Sequence, residues 1–164
     1  MQGCTIWGNH SSTQYPDVNH ATVKVAGGVK SVPDAIGDPA WLHGAYITTV
    51  QQRGAAIINA RKLSSAMSAA KAISDHLHDF VVGSQGRVVS MAVPSDGSYG
   101  IEAGLIYSFP VVCSQGKYNI VKGLKVDSFS EKMMKETMKE LQEERDAAKA
   151  FLFKEMGQIA RSKL

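Results

Sequence analysis

The sequence predicts one α+β domain in which short antiparallel strands pack against long helices. Several short runs alternate apolar and polar residues at the two-residue period of a strand, whereas other stretches step by three and four, as a helix facing a core does. The length and composition agree: 164 residues, 44% hydrophobic and 20% charged, suit a single domain. Such a chain can bury roughly 70% of its unfolded surface.

Cys4-Thr5-Ile6-Trp7 is a β-prone run ending at Gly8. It starts almost at Met1, which leads us to expect part of a longer polypeptide. The polar segment from Asn9 to Asp17 reads as a loop, with Pro16 excluding helix just before it. Val23-Lys24-Val25 and Val29-Lys30-Ser31-Val32 alternate around Ala26-Gly27-Gly28, a hairpin pattern. From Ala40 the period becomes helical over 40–62, with Gly54 a weak point. Ser64 or Ser65 can cap a second helix over 64–80, whose apolar face includes Ala66, Ala69, Ala70, Ile73, Leu77 and Phe80. Arg87–Val93 reads as a strand. Pro110–Cys113 and Tyr118–Val121 pair as two more across Ser114-Gln115-Gly116-Lys117. Ser128-Phe129-Ser130-Glu131 forms a capping box for a long amphipathic helix reaching about Met156, striped by Met134, Met138, Leu141, Ala148 and Leu152. Its Met residues read as core, and its acidic and basic residues as a solvated face.

Charge and motifs exclude several functions. Eighteen Lys and Arg against fifteen Asp and Glu leave a net charge of +3 without a basic run, so no nucleic-acid partner is expected. No apolar run approaches the roughly 18–20 residues of a membrane span, and the N-terminus lacks a secretion pattern. Two cysteines, Cys4 and Cys113, are too few for a disulfide framework. There is no G-x-G-x-x-G and no phosphate-binding G-x-x-x-x-G-K-[ST]. No metal site is expected either, because His76 and His78 sit two apart on a helix, where side chains diverge. His20, His43, His76 and His78 read as surface or structural positions. His10 differs: it follows a strand end and a glycine, in a loop rich in hydroxyls and amides, where catalytic groups are commonly displayed. An imidazole there can pass a proton in either direction near neutral pH. A commonplace loop histidine fits the same spacing.

Residues 6–21, Ile-Trp-Gly-Asn-His-Ser-Ser-Thr-Gln-Tyr-Pro-Asp-Val-Asn-His-Ala, resemble the catalytic-histidine segment of cytosolic-type malate dehydrogenases. So do Thr48-Thr49-Val50-Gln51-Gln52-Arg53-Gly54-Ala55-Ala56 and Lys62-Leu63-Ser64-Ser65-Ala66-Met67-Ser68-Ala69-Ala70-Lys71-Ala72. Val89-Ser90-Met91, Ser95-Asp96-Gly97, Ser98-Tyr99-Gly100 and Tyr107-Ser108-Phe109-Pro110-Val111-Val112 follow in matching order. The likeness covers nearly the whole chain and is confined to the C-terminal, catalytic half of the lactate/malate dehydrogenase family. It implies that family's C-terminal fold over residues 1–161, an antiparallel sheet with long helices and no Rossmann domain. It implies His10 as the acid/base exchanging a proton with the 2-hydroxyl of malate, and NAD as hydride acceptor. Ser65 and Asn9 would lie near the substrate or nicotinamide, with a plain helix cap as the alternative reading of Ser65, and Asn9 with Ser11 would orient the histidine. Family members are dimers whose contacts include helices 40–62 and 64–80, so a homodimer, or pairing with a full-length subunit, is expected.

Several parts of the family pattern have no counterpart in these residues. They are the glycine-rich turn and ribose-binding acid that hold most of NAD, the aspartate that orients the histidine, the arginine that grips the substrate carboxylate, and the mobile arginine-bearing loop. The chain alone is therefore expected to be inactive until the nucleotide-binding half is supplied. The alternative is a non-catalytic dimerisation or assembly module. The last residues, Ser162-Lys163-Leu164, match a receptor-read peroxisomal address. That match gives an import receptor as a further partner and a peroxisome or glycosome as the expected location, with the cytoplasm as alternative.

Overall fold

The computed structural model describes residues 1–161, with side chains through Lys154. The tripeptide 162–164, expected above to act as a targeting signal, lies outside the described residues. Among these are seven strands in three antiparallel sheets: β1 (Thr5–Trp7) with β2 (Tyr15–Asp17), β3 (Thr22–Val25) with β4 (Gly28–Ser31), and β5 (Val89–Pro94), β6 (Ile106–Ser114) and β7 (Lys117–Ile120) in that order. Six α-helices complete the fold: α1 (Val32–Ile36), α2 (Pro39–His43), α3 (Ala45–Gln51), α4 (Arg53–Arg61), α5 (Met67–Val81) and α6 (Ser128–Arg161).

The β5–β6–β7 sheet forms as its alternation requires. Met91 and Val93 of β5 and Tyr107, Phe109, Val111 and Cys113 of β6 point to one face and are buried. With Trp7, Tyr15, Ile47, Ile101 and Met134 they make the main core. The β6–β7 turn places Gln115 at φ 50° and Gly116 at φ 73°. Positive φ at both central residues matches a type I′ turn, whose twist suits a two-residue hairpin.

β2 was not expected, because Pro16 lies within its three residues. The pairing explains why proline is tolerated. Opposite Pro16, Ile6 turns its own backbone away, donating N–H to Ser90 Oγ at 2.9 Å and accepting from Ser108 Oγ at 2.6 Å. The ladder therefore asks no hydrogen of Pro16. β1 thus lies between β2 and the larger sheet, and a Gly8–Ser108 bridge extends it toward β6. Trp7 Nε1 donates to the buried Asp17 at 3.0 Å, and Asn19 N donates to the same carboxylate at 2.8 Å. Trp7→Phe leaves that carboxylate with one donor fewer, so a loss of about 1–3 kcal/mol is expected in urea unfolding.

The expected helix over 40–62 is three helices. Gly44 breaks it at φ −127°, ψ −97°, a backbone outside the helical region, and Gln52 breaks it again at φ −94°, ψ 4°. Gly54, the expected weak point, lies inside α4. α1 replaces the end of the expected strand at Val32. Ser31 caps it by accepting from Asp34 N at 3.1 Å, and Pro33 occupies the first turn, where its missing N–H costs nothing. α5 begins at Met67 with Ala66 at the cap position and no side-chain cap bond, so neither Ser64 nor Ser65 caps it.

The long helix is present, but its cap differs from the expected box. Asp127 accepts from Ser130 N at 2.7 Å, while Glu131 pairs forward with Lys135 at 2.6 Å. The Ser130 backbone N–H holds the Asp127 carboxyl below its ordinary pKa, against a smaller opposing effect of burial. A lowered folded-state pKa stabilises above the unfolded value and is lost as pH falls through the folded one. Asp127→Ala is expected to cost about 1 kcal/mol at neutral pH. Thermal melts should show that gap closing in acid.

Candidate active site

The anchoring of the His10 loop begins at the end of β1, where Trp7 is fully buried. Gly8 follows at φ 93°, and a Cβ built there would fall 2.1 Å from Thr137 Cγ2. Only glycine fits both the backbone and the space. Gly8 exchanges backbone hydrogen bonds with Ser108 at 3.2 and 3.0 Å. Asn9 N then donates to Thr137 Oγ1 at 2.9 Å, fixing the chain one residue before His10.

Beyond the histidine the loop is gripped again. Ser11 Oγ donates to Glu140 Oε2 at 2.5 Å, and Thr13 Oγ1 donates to the same oxygen. Thr13 N donates to Ser11 Oγ at 3.0 Å, and Gln51 Nε2 of α3 donates to Gln14 O at 2.9 Å. Asn9 Nδ2 reaches Glu144 Oε1 at 3.2 Å. Burial alone would raise the Glu140 pKa. The Ser11 and Thr13 hydroxyls, with the Asn9 amide adding in the same sense, favour its ionised form and hold it below the ordinary value.

His10 itself is exposed, and among the described residues no hydrogen bond engages its ring. Its backbone is anchored on both sides while its imidazole stays available, an arrangement that can present a proton-transfer group to a ligand. Ser65 lies in the α4–α5 connection, half-buried, where its backbone oxygen and that of Ser64 each accept from Arg61 at 3.0 Å. The next residue, Ala66, is at φ 42°, ψ −79°. No hydrogen bond among the described residues joins Ser65 to the His10 loop. A cavity of about 540 Å³ lies elsewhere, lined in part by Gln2, Cys4, His20, Gln85 and Arg87.

Sequence reasoning missed Thr137, Glu140 and Glu144, having assigned the acidic residues of α6 to a solvated face. The available signal was their spacing of three and four, which puts all three on one side of the helix, one of them the fully buried Thr137.

Residues 2–152 match the family model for the lactate/malate dehydrogenase α/β C-terminal domain. The chain belongs to the lactate/malate dehydrogenase family. It is 60% identical over 153 residues to the cytoplasmic malate dehydrogenase of Medicago sativa, covering 93% of this chain and 46% of that protein. It is 59% identical over 154 residues to that of Rattus norvegicus, with the same two coverages. The crystal structure of malate dehydrogenase from Naegleria fowleri superposes with a TM-score of 0.80 at 47% identity, over 88% of this chain and 43% of that one. Trichomonas vaginalis lactate dehydrogenase, solved with NADH and oxamate, superposes with a TM-score of 0.86 at 29% identity, over 93% and 47%. The chain thus spans about half the length of the curated relatives it matches.

Proposed function

We propose that this chain is the catalytic half of an NAD-dependent malate dehydrogenase, interconverting malate and oxaloacetate once a nucleotide-binding half is joined to it. The carrying observation is the His10 loop, pinned at Gly8, Asn9, Ser11 and Thr13 while its imidazole stays exposed. The family match and the roughly 60% identity to cytoplasmic malate dehydrogenases support the substrate.

In malate oxidation His10 takes the proton of the C2 hydroxyl as hydride leaves C2, giving oxaloacetate and protonated His10. In reduction His10 returns the proton to the carbonyl oxygen. When bound, NAD supplies the acceptor for the hydride. The described sheets are all antiparallel and carry no glycine-rich turn before a helix, so most of the dinucleotide has no holder here. Ser65, whose hydroxyl makes no hydrogen bond among the described residues, is the group this chain offers near the nicotinamide. Asn9 holds the loop to α6 through its backbone N–H and its side-chain amide.

On the same geometry the isolated chain is expected to be inactive. His10 has no carboxylate on its ring among the described residues to fix a tautomer or stabilise the imidazolium. Removing such a partner elsewhere costs on the order of 10⁴ in rate. An exposed imidazole also lacks the dry enclosure that strengthens charge stabilisation. Joined to the nucleotide-binding half of a cytoplasmic malate dehydrogenase, the chain is expected to oxidise NADH in the presence of oxaloacetate. A folded, NADH-binding assembly without turnover would sink the reading.

The assembly-module reading rests on a separate observation. α5 is amphipathic, yet Ile73, Leu77 and Val81 are 60%, 54% and 60% exposed, and Ile58 of α4, Leu63 of the connection and Met67 at the start of α5 are exposed as well. An apolar face of this kind marks an interaction surface, here one for a second subunit in a homodimer. Leu77→Asp should shift the sedimentation coefficient of the assembled enzyme to that of a monomer; an unchanged dimer would exclude this face. The relatives from Medicago sativa and Rattus norvegicus are cytoplasmic malate dehydrogenases, which supports a cytoplasmic location over an organellar one.

A further inference from the structure

We infer that Glu140 is a positioning residue for His10, holding the catalytic loop through Ser11 and Thr13 rather than serving as surface charge on α6. The inference rests on the malate dehydrogenase reading above. One face of α6 addresses the loop at three successive levels: Thr137 takes the Asn9 backbone, Glu140 takes the Ser11 and Thr13 hydroxyls, and Glu144 takes the Asn9 amide. These contacts bracket His10 on both sides and leave its ring untouched. Glu140 is the central one, since a single carboxylate oxygen collects both hydroxyls, and the Thr13 backbone N–H closes the group by donating to Ser11 Oγ.

The helix does not need Glu140 to stay in place. Met134 and Thr137 are buried, and Ser130 bonds the Tyr15 hydroxyl at 2.8 Å, so α6 is fixed to the core independently. Removing the carboxylate therefore frees the loop without freeing the helix. A small displacement of an acid/base group slows proton transfer by up to about 10²-fold, whereas substrate affinity set elsewhere is spared.

The test compares Glu140→Ala, Glu140→Gln and His10→Ala in two settings. In the 164-residue chain, amide hydrogen exchange should rise for residues 8–14 in Glu140→Ala and stay unchanged in the β5–β6–β7 sheet. In the chain joined to a nucleotide-binding half, Glu140→Ala should lower kcat about 10- to 100-fold with KM for oxaloacetate within about threefold. Glu140→Gln, which keeps an acceptor oxygen, should recover most of that loss. Unchanged exchange at 8–14 overturns the proposal. So does an unchanged kcat in Glu140→Ala where His10→Ala abolishes turnover, a result that leaves the malate dehydrogenase reading standing. A kcat loss matching the loss of folded protein, and not recovered by Gln, marks a merely structural role and overturns it too. No turnover from the unmodified, folded assembly overturns the reading and the proposal together.

Discussion

His10→Ala in the assembled enzyme is expected to lower kcat by about 10²–10⁴-fold, the usual contribution of a positioned acid/base. The loss should fall on kcat more than on NADH binding, because the His10 ring makes no hydrogen bond within the described structure and its removal disturbs no packing. The same independence predicts chemical rescue. Alanine leaves a gap at a solvent-exposed position, so free imidazole in the assay should restore part of the rate. Unfolding curves of the variant and the unmodified chain should coincide. A variant that loses activity only through lost stability would count against proton transfer by this residue.

Gly8→Ala is the second large effect, and it acts on stability. The substitution asks an alanine to hold φ 93°, a region costing an L-residue about 1–2 kcal/mol. It also places a methyl 2.1 Å from Thr137 Cγ2 and 2.3 Å from its Oγ1, on a fully buried side chain of a helix fixed to the core. Overpacking of this kind adds about 1–3 kcal/mol. A total of about 2–5 kcal/mol is expected in urea unfolding. Thr137→Ala removes the two nearest atoms, so the double variant should be more stable than the sum of the single effects requires. Strict additivity would show that the two residues do not compete for one space. Because Thr137 Oγ1 also receives the Asn9 amide, Gly8→Ala should loosen the catalytic loop even where the fold survives.

What the sequence made legible follows from how local each signal is. The alternation of β5 and β6 and the glycine turn before β7 are carried by adjacent residues, and they appear within one to four residues of the expected bounds. The period of α6 is equally local. β2 was hidden because proline normally excludes a strand, and its tolerance depends on Ser90 and Ser108, which lie far along the chain. The breaks at Gly44 and Gln52 do not interrupt the apolar stepping, so a periodic reading passes over them. His10 could be singled out from its own neighbours. Glu140 could not, because a glutamate on an amphipathic helix looks solvated until the fold brings Ser11 and Thr13 across to it from 129 and 127 residues away. Ser65 shows the converse: a serine before a helical stretch reads as a cap, and the chain spends the cap position on Ala66 instead.

The most direct measurement is oxaloacetate-dependent NADH oxidation by the 164-residue chain alone and joined to a nucleotide-binding half, each with a His10→Ala control. The expected result is no turnover from the chain alone, turnover from the joined form, and its loss in the control. Turnover by the chain alone, or turnover in the joined form that survives His10→Ala, would contradict the assignment of His10 as an acid/base that waits on a second half.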